Sequence, residues 1–144
     1  MREFLVLLII LLSACSSTQP RQGIKGQVLW VSGNQMPGPG SKKSSNHGVQ
    51  RELHIYELTT IKEATMSSDG FFSGIKTKLV STVTTKADGT FKLRLPVGEY
   101  SIFVKEDKGL FASRFDKNNA INPIIIKQKE FAWLPITVDY QAAY

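Results

Sequence analysis

Cysteine is almost absent from this chain of 144 residues: Cys15 is the only one. No disulfide can form within the chain, so a folded domain must draw its stability from a buried core. Histidine is nearly as scarce. His47 and His54 are the only imidazoles, which confines general-base chemistry by histidine and imidazole metal ligation to those two positions. No G-x-S-x-G elbow, H-E-x-x-H pair or glycine-rich phosphate loop occurs. Beyond the first turns of the chain, no segment of about 12 residues carries a helical stripe, although Leu58 to Met66 permits a short helix. The one long apolar run, Phe4 to Leu12, is too short to span a bilayer, which takes about 20 residues. No later segment is apolar enough to do so.

What is present begins with an address. Arg2 precedes the apolar run, the small residues Ser13 and Ala14 follow it, and Cys15 closes the tetrapeptide Leu12-Ser13-Ala14-Cys15. This stretch resembles a bacterial lipoprotein signal peptide. The resemblance implies cleavage between Ala14 and Cys15, removal of residues 1–14, and a membrane anchor of palmitate-type acyl chains on the Cys15 sulfur. That covalent lipid is the only prosthetic group expected. Two acyl chains suffice for stable anchoring, since each buried methylene contributes about 0.8 kcal/mol. Ser16 stands where an aspartate acts as an inner-membrane retention signal in some bacteria, so the cell envelope is the expected location, with the outer membrane favoured. Residues 15–22, polar and containing Pro20, read as a lipidated tether. Residues 23–144 are long enough for one domain.

In that domain the dominant period is two. Phe91, Leu93 and Leu95 alternate with Thr90, Lys92 and Arg94, and Tyr100, Ile102 and Val104 alternate with Ser101, Phe103 and Lys105. Asp88-Gly89 and Pro96-Val97-Gly98 are turn signals: proline presets φ, and glycine takes positive φ without strain. With the β-branched run Leu79 to Thr85 ahead of them, these segments predict a three-stranded meander. Gly23 to Val31, Arg51 to Leu58, Leu110 to Phe115, Pro123 to Lys127 and Leu134 to Gln141 are further strands. The expected fold class is all-β, a single antiparallel β-sandwich of about seven strands, with a closed barrel as the alternative.

Gly26-Gln27-Val28 and the stretch from Thr84 to Ile102, with its D-G-x-F and L-P-x-G-x-Y core, resemble the carboxypeptidase regulatory-like domain. That resemblance implies a Greek-key, prealbumin-like (transthyretin-like) sandwich. Asp88, Gly89, Pro96 and Gly98 would form its turns, and Phe91 and Tyr100 would fill the space between the sheets. The motif is not catalytic. Two insertions depart from the family's short form: Gly33 to Val49, which carries Lys42 and Lys43, and Thr59 to Lys76. Loops of this length are where a partner site is sought. Within the second, Ser68-Asp69-Gly70-Phe71-Phe72 echoes the later D-G-T-F and reads as another hairpin.

Enzymes built on related sandwiches are disfavoured by particular residues. The 5-hydroxyisourate hydrolases end in Tyr-Arg-Gly-Ser, whereas this chain ends Tyr140-Gln141-Ala142-Ala143-Tyr144. Intradiol dioxygenases hold iron with two tyrosines and two histidines, and the setting of His47 and His54 is different. Met36, His47 and His54 offer thioether and imidazole donors for copper but lack the spacing of a cluster.

The formal net charge of +6 is spread over pairs including Lys76 and Lys78, Lys92 and Arg94, and Lys127 and Lys129. Such pairs meet anionic lipid or glycan, or simply guard sheet faces against aggregation; the second reading is favoured. Nucleic acid is not an expected partner. Trp30 and Trp133 lie in apolar strand contexts and are expected in or near the core. Two functions remain. The first is a non-catalytic, membrane-anchored module that contacts an envelope protein or a glycan. The second is a small-molecule or metal-handling protein, possibly enzymatic, with His47 or His54 at its site.

Overall fold

A computed structural model describes residues 21–40 and 46–144. The leader, Ala14, Cys15 and the lysines Lys42 and Lys43 lie outside the described residues. The described chain is all-β, two packed sheets forming a β-sandwich. Its strands in order are β1 (Gly23–Asn34), β2 (His47–Gly48), β3 (Glu52–Glu57), β4 (Thr65–Met66), β5 (Phe72–Ser73), β6 (Leu79–Thr84), β7 (Thr90–Arg94), β8 (Gly98–Glu106), β9 (Gly109–Phe111), β10 (Pro123–Ile126) and β11 (Phe131–Ala143). Leu58 to Met66 contains no α-helix, only a single 3-10 turn at Ile61–Glu63, where the Thr60 N–H donates to Glu63 Oε2 at 2.8 Å.

In the first sheet β1 lies between β11 on one edge and β7 and β2 on the other. The second sheet runs β4-β5-β9-β8-β3-β6, with β10 also paired to β8. Alternation decides which side chains face inward. Ile24, Val28, Leu134, Ile136 and Val138 from the first sheet meet Leu53, Ile55, Tyr100, Ile102 and Val104 from the second. Phe91 and Tyr100 are both buried in this core. Gly26 lets β1 lie close to β11, because a Cβ there would overlap the Leu134 carbonyl.

Two expectations need correction. The segments from Leu79 to Val104 form no meander: β6 and β8 belong to the second sheet, each paired with β3, while β7 pairs with β1 in the first. The turn at residues 86–89 therefore carries the chain from one sheet to the other. The sandwich is also not wholly antiparallel, since β1 and β11 pair in parallel over almost their full length. Parallel neighbours need a long crossover, and here the rest of the domain provides it. Pro135 has no N–H for a ladder, and it is tolerated because β11 is an edge strand.

The second insertion is folded. Residues 65–73 form the β4-β5 hairpin, closed by Ser67 and Phe71. The hairpin extends the edge of the second sheet through the pairing of β5 with β9, and on the outer face of that sheet Phe72, Phe103, Ala112 and Ile121 make a second small core with Tyr56 and Ile75 packed against it. This explains why Ser101 and Phe103, on the face of β8 away from the main core, are fully buried. Thr59 N–H donates to Ser101 Oγ at 2.9 Å, and Asn122 Nδ2 donates to the Ile102 carbonyl at 2.9 Å. Among the described residues, no buried side-chain polar atom lacks a partner.

Candidate functional site

Asp88 and Gly89 stand where β6 gives way to β7. Asp88 Oδ1 accepts from the Thr90 N–H at 3.0 Å and the Thr90 hydroxyl at 2.6 Å. These bonds hold the Asp88 carboxyl below its ordinary pKa, the hydroxyl contributing most. Gly89 takes φ of 83°, and its carbonyl accepts from the Val28 N–H at 2.8 Å. Pro96 and Gly98 stand at the crossing from β7 back to β8, where the Tyr100 hydroxyl donates to the Pro96 carbonyl at 2.8 Å. All four residues serve chain reversal between the sheets.

The two histidines do not come together. His47 is exposed on β2, opposite Trp30 in the first sheet. His54 is on β3 of the second sheet, its Nε2 2.8 Å from Glu52 Oε1 and its ring tilted against Tyr56. This hydrogen bond is the main reason the Glu52 carboxyl sits below its ordinary pKa, and Lys105 at 3.8 Å assists. Met36 is exposed in the first insertion. Among the described residues, no three His, Cys, Asp or Glu side chains gather into a metal-holding group.

The tryptophans divide. Trp30 is half-buried, edge-on to Tyr140 at 5.3 Å, with the Arg51 guanidinium 5.5 Å above its ring. Trp133, expected in or near the core, is 61% exposed. The correction follows from alternation: Leu134 and Ile136 take the inward positions of β11, so Trp133 and Pro135 point outward.

Trp133 also lines a groove of about 520 Å³ beside the edge strands β10 and β11. Pro123, Ile124 and Ile125 contribute its apolar surface, while Glu99, Arg114, Asp116 and Asn118 contribute polar groups. The loop carrying the last three is held by the Asp116 carboxylate and by a backbone bond from Ile61. Asp116 Oδ1 accepts from the N–H groups of Asn118 and Ala120 at 2.8 and 2.9 Å, Asn119 takes φ of 62°, and Ile61 N–H donates to the Asn119 carbonyl at 3.0 Å. Among the described residues, the side chains of Arg114, Glu99 and Asn118 have no hydrogen-bond or ion-pair partner. A donor fork, an anionic acceptor and an amide are thus presented to solvent beside an exposed indole.

No family profile, curated protein or solved structure matches this chain. The groove residues are not singled out by sequence reasoning, because they come from four separate segments. The Asp116-Lys117-Asn118-Asn119 turn signal is the one local feature that marks their loop. Neither insertion supplies the groove's principal polar groups; the second contributes Thr60 at its margin.

Proposed function

We propose that this chain is an envelope lipoprotein, anchored through lipid on Cys15, whose sandwich is a non-catalytic module that contacts an envelope protein or glycan. The observation that carries the reading is the groove. It offers unpartnered polar side chains beside apolar ones, as recognition surfaces do, and it contains neither histidine. The outer membrane is the favoured location, from Ser16. The finer fold reading, a prealbumin-like Greek key of the carboxypeptidase regulatory-like type, rests on the D-G-x-F and L-P-x-G-x-Y stretch.

The test is a photo-crosslinking residue at position 118 in intact cells, followed by mass spectrometry. One reproducible envelope protein or glycan is expected, captured less in an Arg114→Glu variant and undiminished in a His47→Ala/His54→Ala variant. Loss of capture, or of any measured activity, in the histidine variant would instead support small-molecule or metal handling and overturn the module reading.

A further inference from the structure

Cations gather at the end of the sandwich where β1 begins. Lys25 stands directly opposite Lys92 in the β1–β7 register, and Arg94 is two residues further along, opposite Gly23. All three are exposed on the outer face of the first sheet. Lys127 and Lys129 follow on the turn from β10 to β11, and Arg21 precedes β1. Three carboxylates, Glu57, Glu99 and Glu130, share this end, yet no ion pair links them to these cations among the described residues. Exposed apolar groups accompany the charge. Trp133 lies opposite Lys25 in the β1–β11 register, and Val97, in the turn before β8, is 52% exposed.

We propose that this end of the sandwich docks on an anionic phospholipid surface. A basic face with an exposed indole suits the interface, where headgroup phosphates meet the cations and the ring sits at headgroup depth. Two features run against the stability of the isolated domain. Like charges directly across a strand pair repel, and Lys92, opposite Lys25, carries its ammonium over the Phe131 ring, 4.3 Å from the centroid. Lys129 occupies the left-handed backbone region, with φ of 59°, where glycine would be unstrained. Both become useful when an anionic surface faces them.

The Cys15 reading orients the domain, and the inference rests on it for that point alone. Cys15 and Gly23 are eight positions apart, a reach of at most about 28 Å fully extended. The end where β1 begins is therefore the end held nearest the bilayer.

The experiment uses the mature lipidated chain carrying Trp30→Phe, which leaves Trp133 as the single tryptophan. It is reconstituted into vesicles of phosphatidylcholine alone or of equal parts phosphatidylcholine and phosphatidylglycerol, with acyl chains brominated near the headgroup. Quenching of Trp133 is expected in the anionic vesicles, with little in phosphatidylcholine or at about 1 M salt, where the Debye length falls to about 3 Å. Lys129→Gly removes one charge and is expected to lower the ratio of docked to free domain about fivefold, without lowering the melting temperature. Arg94→Glu is expected to lower it by more. Equal quenching in both vesicle types, or none in either while the chain floats with them, overturns the docking inference alone. A chain whose intact mass shows no acyl group overturns the Cys15 reading. For that chain, flotation with anionic but not neutral vesicles still supports the basic face, and flotation with neither overturns it.

Discussion

Tyr140 holds one end of the sandwich through its ring and its hydroxyl separately. The ring contacts Trp30, Phe71 and Phe111 at centroid distances of 5.3, 5.1 and 5.4 Å. The hydroxyl donates to Glu106 Oε2 at 2.8 Å, while Glu106 Oε1 accepts from Arg51 Nε at 2.7 Å. Although part of Tyr140 is exposed, the Glu106 side chain it meets is only 6% exposed. Burial first, then the bond to Glu106, push the Tyr140 hydroxyl up to about 12. A raised phenol pKa means that the fold favours the neutral form. This contribution is intact below the ordinary tyrosine pKa of about 10 and is lost as pH rises from there toward about 12. Tyr140→Phe is expected to remove that alkaline limb and the highest step in a tyrosinate absorbance titration. Glu106→Ala leaves Arg51 without its carboxylate and is expected to destabilise by about 3 kcal/mol in urea unfolding. Gly89→Ala combines positive φ with overlap of the new Cβ on the Val28 carbonyl. Its expected cost is about 2 kcal/mol by the same measurement.

At the scale of elements, the second insertion acts as a cover rather than an open loop. Phe103 is fully buried beneath it, with Tyr56 and Phe72 edge-on at 5.5 and 5.7 Å. Phe103→Ala is expected to cost about 3 to 5 kcal/mol. Binding of a hydrophobic dye by this variant, with β-sheet circular dichroism retained, would mark local loosening of the cover. A change below about 1 kcal/mol would show that the second core contributes little. Strand positions were legible in the sequence wherever alternation was clean: Phe91, Tyr100, Ile102 and Val104 are buried as the period of two predicts. Pairing was not legible. The Asp88-Gly89 signal marks a reversal, but a turn signal is the same whether the next strand pairs with the one just finished or crosses to the opposite sheet. Phe103 was equally opaque, because its outward position is buried by residues from separate segments, among them Phe72 and Tyr56 before it and Ala112 and Ile121 after it.

For the whole molecule, the anchoring reading has its own test. Cys15→Ser is expected to leave an unprocessed or soluble precursor, seen by gel mobility and membrane fractionation; acyl labelling of that variant would overturn it. No helix among the described residues is long and apolar enough to cross a membrane. The candidate site was not legible in the sequence because Glu99, Arg114, Asn118 and Trp133 are brought together only by the pairing of β8 with β10 and the approach of β11. The charge followed the same logic. Lys92, Arg94, Lys127 and Lys129 read along the chain as dispersed pairs, and folding carries them to one end. By itself the sequence determined the all-β class, the approximate strand positions and the turn residues, because side-chain alternation and backbone conformation are local properties. The tertiary structure alone decided which strands pair, that β1 and β11 run parallel, that the second insertion is a cover, and that a groove and a basic end exist. Each of these depends on contacts between distant segments, which local periodicity does not encode.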